Sequence, residues 1–194
     1  MSFVKASIEA KYRITFKGKN KGFDIRLFAG QFFIKNSTGP YKFRMAGQRG
    51  FQDYQYDDVF LGRTETQGVF SQQFTETDGN FKVPTSVGQT SDWLIALNLK
   101  TSIHKRIPIN IYADFGTYKD AKKAFPGSKA IVWNAGLSVP VVANVFEIFF
   151  PLVSSTDIKD NLELSTKNYW QRIRFTLNFN NINPLKKVRE VKPN

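Results

Sequence analysis

A chain of 194 residues with a formal net charge of +12, no cysteine and a single histidine can bury one sizeable core. It has no disulfide framework, no thiol chemistry and no zinc site of common type. Aromatic residues make up 15% of it, enough apolar surface to exclude a disordered polymer. No run of about 18 apolar residues occurs, which excludes a transmembrane helix but not a membrane β-barrel.

Residues 5–17 alternate, with Lys5, Ser7, Glu9, Lys11, Arg13, Thr15 and Lys17 on one face and Ala6, Ile8, Ala10, Tyr12, Ile14 and Phe16 on the other. A period of two sends neighbouring side chains to opposite faces of a sheet, so a strand is predicted here. Turn chemistry at 18–22 leads to a second strand over 23–34. There Phe23, Ile25, Leu27, Ala29 and Phe33 oppose Asp24, Arg26, Phe28, Gly30 and Phe32. After a turn at 36–40 a third strand is predicted over 41–47, with Tyr41, Phe43 and Met45 opposite Lys42, Arg44 and Ala46. The long polar and aromatic loop 48–91 follows, with a local hairpin predicted between 58–61 and 69–75.

The rhythm resumes at residue 92, with strands predicted over 92–103, 107–116, 130–139, 145–152 and 169–179. Their connections alternate short (104–106), long (117–129), short (140–144) and long (153–168). Only 119–125 offers a turn of helix. The expected organisation is one all-β domain over 1–180, of about eight antiparallel up-and-down strands, and a basic tail over 181–194.

Alternation does not say which face is inside. A soluble barrel turns its apolar face inward and binds an apolar ligand; an outer-membrane barrel turns it outward. The short–long rhythm, strand lengths near the ~9–11 residues of a tilted membrane strand, and aromatics near strand ends favour the membrane. Those aromatics are Trp93, Phe115, Tyr118, Trp133, Tyr169 and Trp170. The polar face then becomes a lumen wall carrying Arg13, Arg26, Arg44, Arg172 and Arg174, with Glu9, Asp24, Asp114 and Glu147 as partners. An even strand count brings both chain ends to one side, so a small barrel could close on itself.

Catalytic chemistry is not evident. His104 stands in a basic turn with Lys105 and Arg106, and no HExxH, GxSxG, Walker A or GxGxxG pattern occurs. The acids at Asp57, Asp58, Asp157 and Asp160 lack EF-hand spacing. Most aromatics alternate away from the arginines, which argues against a stacking platform for nucleic acid; Tyr54 and Tyr56, the exceptions, are flanked by acids. Neither a metal nor a cofactor is expected.

From residue 41 onward the chain resembles the C-terminal half of BamA-type barrels, the bacterial surface-antigen superfamily of outer-membrane assembly and secretion proteins. Gln48-Arg49-Gly50-Phe51 looks like that family's Arg-Gly-aromatic motif, and five predicted strands follow it. Tyr112-Ala113-Asp114-Phe115-Gly116 resembles its Phe-x-Asp-x-Gly strand end. Val145 through Leu152 resembles a strand closing on aromatic-Pro-Leu, and Arg172 through Phe179 the closing strand. The resemblance implies a loop that folds back into the lumen and inserts Arg49, flanked by Gly50 and Phe51, against a wall partner, Asp114 or Glu147.

The departures are a longer, more acidic loop, a run-on after the closing strand, about half the family's strands and no periplasmic modules. The chain is also similar to barrels that follow a gluzincin-type aminopeptidase region in large Gram-negative surface proteins. Residues 1–5 lack the plan of a signal peptide, which for an exported barrel implies a removed leader or a longer parent. The expectation is a non-catalytic transmembrane β-barrel of the bacterial outer membrane, either complete or the C-terminal half of a larger one. It would serve as an anchor or as a wall of a protein assembly or secretion pathway. Its expected partners are outer-membrane lipid or lipopolysaccharide and other outer-membrane or periplasmic proteins.

Overall fold

Period-two alternation becomes antiparallel β-structure in seven segments of the computed structural model, which describes residues 3–17, 21–35, 41–53, 56, 58–104, 107–124 and 127–179. These are β1 (Phe3–Thr15), β2 (Gly22–Lys35), β3 (Trp93–Ser102), β4 (Asn110–Tyr118), β5 (Val132–Val142), β6 (Phe146–Ser154) and β7 (Arg174–Leu177). They pair in chain order into one sheet that curls as a half-barrel, with β1 and β7 at its edges. The turn positions 18–20 and 36–40, Tyr54, Asp57, Lys105, Arg106 and the tail 181–194 lie outside the described residues.

The third predicted strand is not in the sheet. β2 pairs directly with β3, from Phe23 opposite Thr101 to Gln31 opposite Trp93, which leaves no place for 41–47 between them. That segment makes only isolated bridges, and its partner is the return of its own loop: Phe43 and Thr90 exchange backbone hydrogen bonds at 2.8 and 2.9 Å. The predicted hairpin is replaced by a turn at 61–64 and a 3-10 turn at Val69–Gln72. The predicted loop 153–168 contains a helix, α1 (Thr156–Ser165). With seven strands rather than eight, β1 starts at the end of the long connections and β7 finishes at the end of the short ones, so the two sheet edges do not share the even-count arrangement.

The facing of the strands decides the architecture. Side chains at Ile8, Leu27, Ile95, Ile111 and Leu152 are 71, 47, 44, 46 and 56% exposed, and all belong to the outer, convex face. The concave face is covered by residues 41–92. Phe43, Met45, Phe81, Val83 and Val87 from this loop pack with Phe28, Phe32, Leu94, Ala96, Tyr118 and Val132 of the wall and with Ile158 and Leu162 of α1. Tyr118, expected at an interfacial girdle, is therefore part of this inner core. Two glycines make the close approach possible. A Cβ on Gly30 would stand 2.5 Å from Phe43 Cζ, and one on Gly116 would collide with Met45 Sδ. The two prolines within strands, Pro140 and Pro151, sit beside register irregularities of the β5–β6 pair, where a missing N–H is tolerated.

Candidate functional site

One pleat step below the apolar layer the concave face becomes polar. Register aligns Arg26, Asn98, Asp114 and Asn134 across β2 to β5 in one inward row. Arg26 Nη1 donates to Asn98 Oδ1 at 2.8 Å, and its Nε donates to Glu9 at 2.8 Å. Asn98 Nδ2 and Asn134 Nδ2 donate to the Asp114 carboxylate at 2.8 and 3.2 Å. Asp114 is fully buried, and the cation that meets it comes from the loop: Lys82 Nζ lies 2.7 Å from Oδ1, and the Lys82 N–H donates to Oδ2 at 3.3 Å. The loop is thus fastened to the wall by a buried ion pair whose carboxylate accepts hydrogen bonds on both oxygens, since a charge removed from water needs both a partner and donors.

A second group lies nearer the short-turn end. Lys100 Nζ pairs with Glu147 Oε2 at 2.8 Å, and Ser138 Oγ donates to Oε1 at 2.5 Å. Asn110 Nδ2 also donates to Glu147, at 3.4 Å. Beside it Phe74 of the loop packs edge-on against Phe149, which in turn meets Tyr112.

The loop carries its own carboxylates. Asp78 is buried and accepts from the Arg44 N–H at 3.2 Å and Gln48 Nε2 at 3.0 Å. Burial pushes its carboxyl up, and the positive fields of Lys5 and Arg44 with these hydrogen bonds offset that only in part. Glu76 is solvent-accessible at its side chain yet stands over the cationic wall. Desolvation raises its carboxyl, but Lys100, Lys82, Arg26 and Lys11 together hold it below the ordinary carboxylate range.

The wall partners expected from alternation fall on Arg26 with Glu9 and on Arg13 with Asp24, the latter 3.4 Å apart. Three expected arginines stand elsewhere. Arg44 belongs to the loop, where its Nη1 donates to Gln48 Oε1 and the Gln52 carbonyl at 3.0 and 2.9 Å. Arg172 lies in a 3-10 turn before β7 and donates to the Thr166 carbonyl at 2.8 Å. Arg49, expected to insert against Asp114 or Glu147, sits over the Phe51 ring at 6.0 Å and lines a different cavity, together with Arg44 and Arg174. The loop cation that reaches Asp114 is Lys82, for which no motif spoke. Gly50 is buried beneath the Phe60 ring and Phe51 is exposed. Asn98 and Asn134 were legible as polar-face positions but not as the two amides that hold Asp114.

No protein-family model, curated protein or solved structure matches this chain.

The geometry can brace a wall and hold a plug. Among the described residues no group of three or more His, Cys, Asp or Glu side chains is placed to hold a metal ion, and His104 is exposed after β3.

Proposed function

We propose that this chain is a wall segment of a bacterial outer-membrane β-barrel of BamA type. Its convex face meets lipid, and its concave face holds residues 41–92 as an inward-folded plug. The wall serves as a membrane anchor or as one side of a protein assembly or secretion path, without catalysis of its own. Outer-membrane lipid or lipopolysaccharide is then its immediate partner. The observation that carries this reading is the apolar convex face: isoleucine, leucine and aromatic side chains are exposed outside, while the concave side also buries Arg26, Lys82, Asp114 and Asn134. In water an exposed apolar face of this extent invites association, whereas in lipid it is the required surface. The rhythm of the connections supports the same reading, because all the long ones leave from one end of the sheet.

The test is the solvent. The purified chain is expected to stay monodisperse in non-ionic detergent or lipid bilayers and to aggregate when detergent is removed. A monodisperse, folded chain in detergent-free buffer would sink the proposal.

A further inference from the structure

We propose that the cavity between the inner loop and the α1–β7 connection is an oxyanion site that takes a phosphate group on Arg49 and Arg174. The cavity measures about 810 Å³ and opens between residues 44–52 and 66–89 on one side and 161–174 on the other. No acidic side chain is among the described residues that line it.

Arg174 is the anomaly that points there. Its residue is 2% exposed, yet its guanidinium donates only to neutral carbonyls, Gln73 O at 3.1 Å and Ser71 O at 3.4 Å, with the Phe74 ring 5.6 Å away. The other two buried cations of the described residues are treated differently: Arg26 meets Glu9 and Lys82 meets Asp114. Arg174 instead shares its cavity with two further cations, Arg49 and Arg44. Burial already works against the charged form of Arg49. A buried charge without a counter-ion is costly, and two in one site more so.

An anion removes both costs at once. Guanidinium groups present planar forks of donors that match the oxygens of a phosphate, and such charge-assisted bonds are the strong ones. Thr166 and Gln171 line the same cavity with neutral polar side chains. The group could belong to free phosphate or to a phosphorylated lipid head, which present the same oxygens. The assignment stands on this cavity and holds whichever solvent the convex face meets.

Trp170 lines the cavity and reports its occupancy. The full chain, folded in non-ionic detergent, is titrated with sodium phosphate at constant ionic strength set by chloride, reading tryptophan fluorescence and Tm. A saturable fluorescence change with a rise in Tm is expected, absent in Trp170→Phe for the fluorescence arm. Affinity should fall at least tenfold in Arg49→Gln and stay unchanged in Lys122→Gln, an exposed site outside the cavity. Arg174→Gln is the companion variant; Arg49→Gln keeps the test sound should that buried change unfold the chain. A parallel titration with dodecyl phosphate in mixed micelles separates the sources: tighter binding than inorganic phosphate assigns a lipid head, equal binding a free ion. No effect of phosphate beyond that of chloride, or equal affinity in Arg49→Gln and the parent, overturns the proposal.

Discussion

Asp114 is fully buried, and its charge is held by Lys82, Asn98 and Asn134. Removing the cation alone strands a buried carboxylate, so Lys82→Met should cost about 3–5 kcal/mol of unfolding free energy. Pairing it with Asp114→Asn removes the stranded charge while keeping side-chain amides in reach, and should recover most of that loss. Urea unfolding of the two single variants and the double variant measures the coupling; simple additivity would mean that the pair does not act as a unit. The two loop carboxylates set opposite pH dependences. Glu76 binds its proton less tightly in the fold than at the reference value of 4.5, so the stability it adds is present above that pH and fades as the pH falls through the folded value. Asp78 binds its proton more tightly than at 3.8; its contribution is greatest below that pH and is lost as the pH rises through the folded value. Glu76→Gln should therefore lower Tm by more at pH 7 than at pH 3, while Asp78→Asn should leave Tm unchanged or higher at pH 7. Melting curves across pH 3–8 decide both.

At the scale of elements, the loop 41–92 is held by shape as much as by charge. Gly116 leaves room for Met45, and a branched side chain there has nowhere to go except into the loop. Gly116→Val should loosen the loop while sparing the sheet, raising trypsin cleavage around Arg63 several-fold with little change in far-ultraviolet dichroism. Equal cleavage in parent and variant would place the loop's hold elsewhere. The loop also marks where alternation stops being informative. A period of two reports face, and 41–47 keeps it, with Phe43, Met45 and Gly47 buried; it does not report the partner, which is the loop's own return at Thr90 rather than β2. Helix α1 was hidden for a different reason. Its only buried apolar pair is Ile158 and Leu162, four apart, too short a stripe to stand out from polar neighbours; Asp157 in its first turn was the remaining signal. The strands from Trp93 to Ser154 were legible because each carries several consecutive alternations, and their faces in the fold are those the alternation assigned.

For the whole molecule, what alternation alone could not supply was the sense of the curl. The same alternating faces fit a barrel turned either way, and the direction depends on what fills the concave side. Here Lys82 and Phe43 fill it from a segment whose composition looks like an ordinary polar loop. The outward apolar face makes one consequence strongly dependent on solvent. Ile95→Arg should be nearly neutral on a watery surface but cost about 2–4 kcal/mol near a bilayer midplane, read as folding efficiency into lipid vesicles. The most direct measurement uses the absence of cysteine. Leu27→Cys and Ile111→Cys, each labelled with an environment-sensitive fluorophore and folded into vesicles, should emit at short wavelength and be quenched by nitroxides on the lipid chains but not by aqueous iodide. Quenching by iodide alone at both positions would contradict a lipid-facing convex wall.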